Sequence, residues 1–154
     1  MEPKGILKFQ EKNFMQGNKI FLDTNIIVYA YDTSAGKKHE IAQKIMMDLW
    51  DSELGVLSTQ VLQEFFVTVT KKIPKPLDAK LAKEIIKDLL KWDIVVNDGD
   101  DILEAIETHL KHKFSFWDSM IIQAAVKSGV TMLLSEDLPK GKIVRGVTIK
   151  NPFG

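Results

Sequence analysis

The chain has 154 residues, enough for one domain with a core of its own. Its composition, 45% hydrophobic and 27% charged without a long unbroken apolar run, excludes a membrane-spanning protein and is typical of a soluble globular one. The lack of cysteine excludes disulfides and thiolate metal sites, and 21 basic residues balance 21 acidic ones, so no overall field favours nucleic acid.

The N-terminal stretch differs from the rest of the chain. Residues 1–18 are polar and have no clear period, which predicts an N-terminal extension, ordered or flexible, ahead of the fold. They also lack the apolar core and cleavage site of a signal peptide, so we expect a cytoplasmic location. Residues 19–154 are expected to form a single domain.

Strand and helix patterns alternate through the first half of that domain. The buried strand "KIFLD" precedes a helix that begins at or just after Asp23, and a second helix follows Gly36. A short strand at 55–57 then leads into a helix that Ser58 or Thr59 caps and the prolines of "IPKP" end.

The same alternation continues in the second half. The amphipathic helix "LDAKLAKEIIKDLLKW", a strand at 94–96 and the helix "DGDDILEAIETHLKHK" follow in turn. A helix capped by Ser115 and closed by Gly129 leads to the apolar strand "TMLLS" and to two strand-like pieces separated by Gly146. Four to five strands alternating with helices predict an α/β fold with a mainly parallel central sheet.

Four acidic residues lie just after the predicted strands. Asp23 ends the first strand, Asp137 follows "TMLLSE", and Asp118 lies in the first turn of the helix that Ser115 opens. Glu64 lies in the first half of the helix after the second strand. Because ligands of an open parallel sheet collect at the carboxyl ends of its strands, all four acids map to one edge.

Such a cluster predicts a metal site. Carboxylates held together repel one another unless a cation neutralises them. Oxygen ligands suit a hard divalent cation such as Mg²⁺ or Mn²⁺. A metal of this kind that acts on water and phosphate is a common means of phosphodiester hydrolysis.

Each acid also has a structural interpretation when it is taken alone. Asp23 can cap the helix that follows it, and Ser115 with Asp118 fits the S-x-x-D capping box. Glu64 lies at the edge of an apolar stripe, where a glutamate usually snorkels to solvent, and Asp137 suits a turn. Since a cap can also be the wall of a site, the metal hypothesis depends on the four acids together.

Several segments resemble a known family. "FLDTNIIVYAYD", "STQVLQEFFVTVTKK", "FSFWDSMIIQAAVKSGVTMLLSEDL" and "GVTIKNPF" are similar, in this order, to the PIN-domain family, specifically to the VapC-like toxin ribonucleases of prokaryotic toxin–antitoxin pairs. The likeness spans residues 19–153, and "D-T-N" and "W-D-S-M-I-I-Q-A-A" are its most distinctive parts. The resemblance implies a three-layer α/β/α domain and a Mg²⁺- or Mn²⁺-dependent endoribonuclease.

The resemblance also assigns roles to particular residues. Position by position, the acidic quartet of the family falls on Asp23, Glu64, Asp118 and Asp137, with Asn25 and Ser135 as polar neighbours. It implies that Asp23 and Asp118 hold the metal most directly, while Glu64 and Asp137 complete the pocket directly or through water.

The end of the fourth predicted strand leaves two acids to choose between. A serine, Ser135, stands where many relatives have threonine, and Glu136 adjoins Asp137. Asp137 is expected to face the metal, because it shares a side with Ser135 if the strand continues.

The resemblance further implies a homodimer and a small antitoxin that inserts into the active-site groove. Two other functions compete with the ribonuclease. One is a PIN-like module that binds RNA or protein without cutting. The other is a phosphatase with Asp23 as nucleophile, which the sequence disfavours because the second aspartate that such enzymes need is Asn25 here.

Overall fold

The central sheet begins with a strand of three fully buried residues, and the later strands are also short, with two to four residues each. In this computed structural model the described residues are 18–154, so the predicted extension over residues 1–18 lies outside them except for Asn18. The elements in chain order are β1 (Ile20–Leu22), α1 (Thr24–Tyr31), a 3₁₀ turn (Thr33–Ala35), α2 (Lys37–Ser52), β2 (Gly55–Ser58), α3 (Thr59–Lys71), α4 (Ala79–Leu89), β3 (Asp93–Val95), α5 (Gly99–His112), α6 (Phe116–Ser128), β4 (Met132–Leu134), β5 (Ile143–Val144) and β6 (Val147–Lys150).

The sheet is mainly parallel, as predicted, and its strand order is β3-β2-β1-β4-β6-β5. Strands β1 to β4 and β6 run parallel, with Leu22 opposite Leu134 where β1 pairs with β4. From β1 the chain first builds outward to β2 and β3, and it later returns to the other side of β1 as β4. The segments that follow β1 and β4 therefore diverge from a topological switch point, where a ligand crevice is expected.

The strand count is six among the described residues, which corrects the predicted four to five. Both halves of "IVRGVTIK" join the sheet, because Arg145 and Gly146 form a tight turn with φ of 51° and 84°. Two successive positive φ angles match the twist of a hairpin, so β5 folds back antiparallel on β6. Sequence periodicity did not reveal this pairing, since β5 has two residues.

Helices cover both sides of the sheet and complete the three-layer α/β/α architecture. Helix α1 packs against α2 and α3, and α3 packs against α4, while α5 and α6 form a separate pair. Helix α6 packs on β2, β3, β4 and β6, and its residues 119–125 are buried. Within residues 18–154 no helix is long and apolar enough to cross a bilayer.

A buried polar network holds α5 against α6. Asp101 forms a reciprocal capping box with Asp98 at the start of α5. Its carboxylate accepts hydrogen bonds from Gln123 Nε2 at 2.9 Å and Lys127 Nζ at 2.6 Å. Arg145 in the β5–β6 turn donates to Gln123 Oε1. The contact with Lys127 above all holds the pKa of Asp101 well below its usual range.

Candidate active site

Asp23 is both a helix cap and a buried wall of the site. Its main-chain N–H donates to Leu134 O at 2.9 Å, which continues the β1–β4 pairing by one bond. Its carboxylate accepts from Thr24 N at 2.7 Å and from Ser135 Oγ at 2.8 Å, and the residue is 6% exposed. The cap that the sequence predicts is present, and it leaves the carboxyl group inside the crevice.

Glu64 faces the same crevice from α3. Thr24 Oγ1 donates to Glu64 Oε1 at 2.7 Å, so the first residue of α1 joins the two helices. Glu64 is half-buried rather than extended into solvent. Thr24 was not among the predicted site residues; its place beside Asp23 in "D-T-N" was the available signal.

Asp118 lies in the first turn of α6. Ser115 caps that helix by accepting from Asp118 N at 3.0 Å, as the S-x-x-D spacing predicts. Gln60 Nε2 of α3 donates to Trp117 O at 3.2 Å, which fixes the start of α6 against the helix that carries Glu64. The half-buried carboxylate of Asp118 is near enough to Asp23 to affect its ionisation.

The segment after β4 supplies Ser135 and Asp137. Strand β4 ends at Leu134, so the condition under which Ser135 and Asp137 would share one side, a strand that continues, is not met. Ser135 Oγ accepts from Leu138 N at 3.1 Å while it donates to Asp23, and this bond bends the chain at residues 136–138. Asn25 Nδ2 donates to Asp137 Oδ2 at 2.5 Å.

Glu136 points to different partners from Asp137. Its carboxylate accepts from Tyr29 Oη at 2.6 Å and forms an ion pair with Lys38 Nζ at 2.5 Å. Burial alone would raise the pKa of Glu136, but the bonds from Lys38 and Tyr29 outweigh it and hold the pKa below its usual value. The hydrogen bond of Asp137 comes from Asn25 instead, although the charges of Glu136, Asp118 and Lys38 all act on Asp137.

Negative charge accumulates at this edge of the sheet. The pKa of Asp23 is raised to about 6, mainly by burial and in smaller part by the charges of Asp118 and Glu64. The hydrogen bonds from Ser135 Oγ and Thr24 N lower this pKa. Burial and then the charges of Glu136 and Asp118 raise the pKa of Asp137. A cation would relieve both effects, because it favours the ionised carboxylates.

The chemistry of the donors fits a hard divalent ion. The four acids offer carboxylate oxygens, and hydroxyl and amide groups hold three of these acids by hydrogen bonds. Over residues 18–154, no three acidic or histidine side chains are close enough together to grip an ion by themselves. The set therefore suits Mg²⁺, which binds through one or two carboxylates and keeps several waters.

Comparison with known proteins gives one family and several similar structures. Residues 20–138 match the family model of the PIN domain. None of the curated protein sequences compared with the chain matches it.

Three solved structures illustrate the structural likeness. One is VapC20 from Mycobacterium tuberculosis, a toxin that cleaves the sarcin-ricin loop. Its sequence is 20% identical, the likeness covers 75% of this chain and 87% of that chain, and the TM-score is 0.59. A toxin–antitoxin complex from Klebsiella pneumoniae is 15% identical, with 87% and 98% covered and a TM-score of 0.62. VapBC2 from Rickettsia felis, bound to a promoter DNA fragment, is 20% identical, with 86% and 97% covered and a TM-score of 0.58. At these identities the likeness establishes the fold.

Proposed function

The chain belongs to the PIN-domain family, and from this premise we propose that it is a metal-dependent endoribonuclease, the toxin of a type II toxin–antitoxin pair. The observation that carries the proposal is electrostatic: the charges of Asp118 and Glu64 act on Asp23, and the charge of Asp118 acts on Asp137, near the carboxyl ends of β1 and β4. Acids kept near one another at a cost in repulsion argue for catalysis and against a module that only binds.

Asp23 and Asp118 are proposed to hold Mg²⁺, or alternatively Mn²⁺, with Glu64 and Asp137 completing the pocket directly or through water. When bound, the metal would supply positive charge opposite the phosphate oxygens and make a water molecule acidic enough to attack. The bonds from Thr24 N and Ser135 Oγ favour the ionised form of Asp23.

The remaining polar neighbours are proposed to orient the other acids. Thr24 Oγ1 fixes one oxygen of Glu64, and Asn25 fixes one oxygen of Asp137. Each carboxylate keeps a second oxygen for the metal or for a water. Preorganised acids of this kind lower the cost of assembling charge around the reacting phosphate.

The proposed partner is a small antitoxin protein that acts in the cytoplasm with the toxin. Support comes from the K. pneumoniae relative, whose structure is a toxin–antitoxin complex. A basic antitoxin side chain would satisfy the acidic site in place of the metal, through charge-assisted hydrogen bonds. Such a side chain would inhibit the nuclease directly, because it would occupy the place of the metal.

A homodimer is proposed to form through one face of α5. Four large apolar residues on this helix are 36% to 64% exposed and fall within one arc of it: Ile102, Leu103, Ile106 and Leu110. Asp100 lies near the start of the helix and Lys113 at its end. An antiparallel pairing of two copies about a two-fold axis would put Leu103 near Leu110 of the second copy and Asp100 near Lys113 of the second copy.

The test is RNA cleavage with Mg²⁺ or Mn²⁺ by wild type, Asp23→Asn and Asp118→Asn. Asp51→Asn is the matched control, because it makes the same chemical change at an exposed position on α2. The proposal expects cleavage by wild type and by the control, and loss of it in the two site variants. The nuclease proposal is rejected if wild type does not cleave RNA, or if the two site variants cleave it as well as wild type does.

A further inference from the structure

The acid that adjoins Asp137 is held outside the acidic pocket by a compact cluster. Glu136 lies between Tyr29 of α1 and Lys38 of α2, with one carboxylate oxygen bonded to each. Lys38 Nζ also lies 5.2 Å from the Tyr29 ring centroid and 5.8 Å from that of Phe153. We call these four residues, Tyr29, Lys38, Glu136 and Phe153, the clamp.

The clamp is itself anchored to regular structure. The rings of Tyr29 and Phe153 meet edge to face at a centroid distance of 5.2 Å. His39 Nδ1 shares a hydrogen bond of 2.8 Å with Tyr29 O, which ties the first turn of α2 to α1. A surface ion pair alone contributes little, but here an aromatic pair and two helices hold both partners of Glu136.

Asp137, by contrast, lies on a bend without strand pairing. Its segment, residues 136–138, follows the end of β4, and its own side chain is exposed. The chain is fixed on one side by Ser135 and on the other by Leu138, which is buried. Glu136 is the residue between Ser135 and Asp137, so its direction determines where the next side chain can point.

We propose that the clamp positions Asp137 for metal binding: Tyr29 and Lys38 hold Glu136 away from the pocket, and this turns Asp137 toward Asn25 and Asp118. The inference rests on the proposed function, since it concerns the fourth acid of that site. Tyr29, Lys38 and Glu136 are positioning residues that act through Asp137.

Positioning and simple electrostatics predict opposite effects at Lys38. Removing a cation near an acidic site makes the local field more negative, which alone would tighten the binding of a divalent metal. Loss of positioning would weaken it, because residues that orient metal ligands typically contribute about 10- to 100-fold to affinity. The sign of the change therefore separates the two explanations.

The experiment measures Mn²⁺ affinity by calorimetry on the full chain without RNA, together with RNA cleavage and thermal unfolding. Lys38→Met and the charge-neutral Tyr29→Phe should each weaken Mn²⁺ binding by about tenfold. Lys37→Met is the matched control, since it removes the same charge from the exposed neighbouring position, and it should leave affinity unchanged. Lys38→Arg, which keeps the charge, should recover most of the loss.

A second background tests whether the effect passes through Asp137. In Asp137→Asn, adding Lys38→Met should weaken Mn²⁺ binding no further, because the residue being positioned is no longer a carboxylate. Equal or tighter Mn²⁺ binding in folded Lys38→Met, or a full additional loss in the Asp137→Asn background, overturns the clamp. If wild type cleaves RNA while these results go against the clamp, the proposed function stands; an inert wild type rejects the nuclease itself.

Discussion

Ser135 Oγ donates a 2.8 Å hydrogen bond to Asp23 Oδ2 across a sequence separation of 112 residues. Both residues are buried, and they follow the neighbouring strands β1 and β4. The bond lowers the pKa of Asp23, whereas burial and the charges of Asp118 and Glu64 raise it. With all of these effects together the pKa is about 6. The ionisation of the most buried acid of the site therefore depends on a hydroxyl from the far end of the chain.

Replacing Ser135 by alanine should move the acid limb of the pH–activity profile to higher pH. Without the hydroxyl, Asp23 holds its proton more tightly, so less enzyme has the ionised carboxylate at neutral pH. A hydrogen bond to a charged group contributes about 1.5 kcal/mol, which is about one pH unit, so from a pKa of about 6 we expect about a twofold loss of activity at pH 7, a loss approaching tenfold below pH 6, and recovery at alkaline pH. Ser135→Thr keeps the hydroxyl and should behave like wild type; an unshifted profile for Ser135→Ala would contradict the role of this bond.

The raised pKa of Asp23 also predicts a pH dependence of stability in the metal-free protein. The folded state binds the Asp23 proton more tightly than the unfolded state, whose pKa is 3.8. The stabilisation is therefore complete below pH 3.8 and disappears as pH rises through about 6. Between pH 4 and pH 7 the unfolding free energy of wild type should fall relative to Asp23→Asn by roughly 2 kcal/mol. Urea unfolding at a series of pH values in EDTA measures this difference. Unfolding free energies that change equally with pH in the two proteins would refute the prediction.

The network around Asp101 should stabilise the α5–α6 pair. Asp101→Ala removes one half of the capping box and the carboxylate that Gln123 and Lys127 share as acceptor, so we expect a loss of about 2–4 kcal/mol at pH 7. Because the pKa of Asp101 is lower in the folded state than in the unfolded state, ionised Asp101 stabilises the fold above the unfolded-state pKa. This stabilisation is lost as the pH falls from the unfolded-state pKa through the folded-state pKa. Asp51→Ala, at an exposed position on α2, is the control for chemical denaturation. A difference between the two variants that does not shrink in acid would count against the network.

The exposed face of α5 should control the oligomeric state. Leu103→Asp and Leu110→Asp each place a carboxylate against a leucine of the second copy in the proposed interface, where it would lose its water without gaining a partner, so each should convert a dimer into a monomer in light scattering coupled to size exclusion. Leu81→Asp makes the same change at a residue of α4 that is 51% exposed, and should have no effect. A wild type that is monomeric at micromolar concentration rejects this interface.

The sequence predicted the parts of the site that depend on local pattern. Asp23 and Ser115 are caps that polar residues before an apolar helix reveal, and the order of strands and helices follows from periodicity. The hydrogen bond from Thr24 to Glu64 could not be predicted, because it depends on how α1 and α3 pack. The direction of Glu136 depends on Lys38, which is remote in sequence, and the end of β4 at Leu134 depends on a hydroxyl that bends the chain.

The pairing of β1 with β4 has a consequence for synthesis of the protein on the ribosome. Asp23 and Asn25 are made early. Their hydrogen-bond partners, Ser135 and Asp137, each lie 112 residues further along the chain. Contacts of such high sequence separation form late, after the loop between them has closed. A nascent chain that ends before β4 carries Asp23, Glu64 and Asp118, but it lacks Ser135, Asp137 and the strand that pairs with β1 on this side. The complete acidic site of the proposed nuclease would therefore form only after the segment carrying Asp137 has emerged.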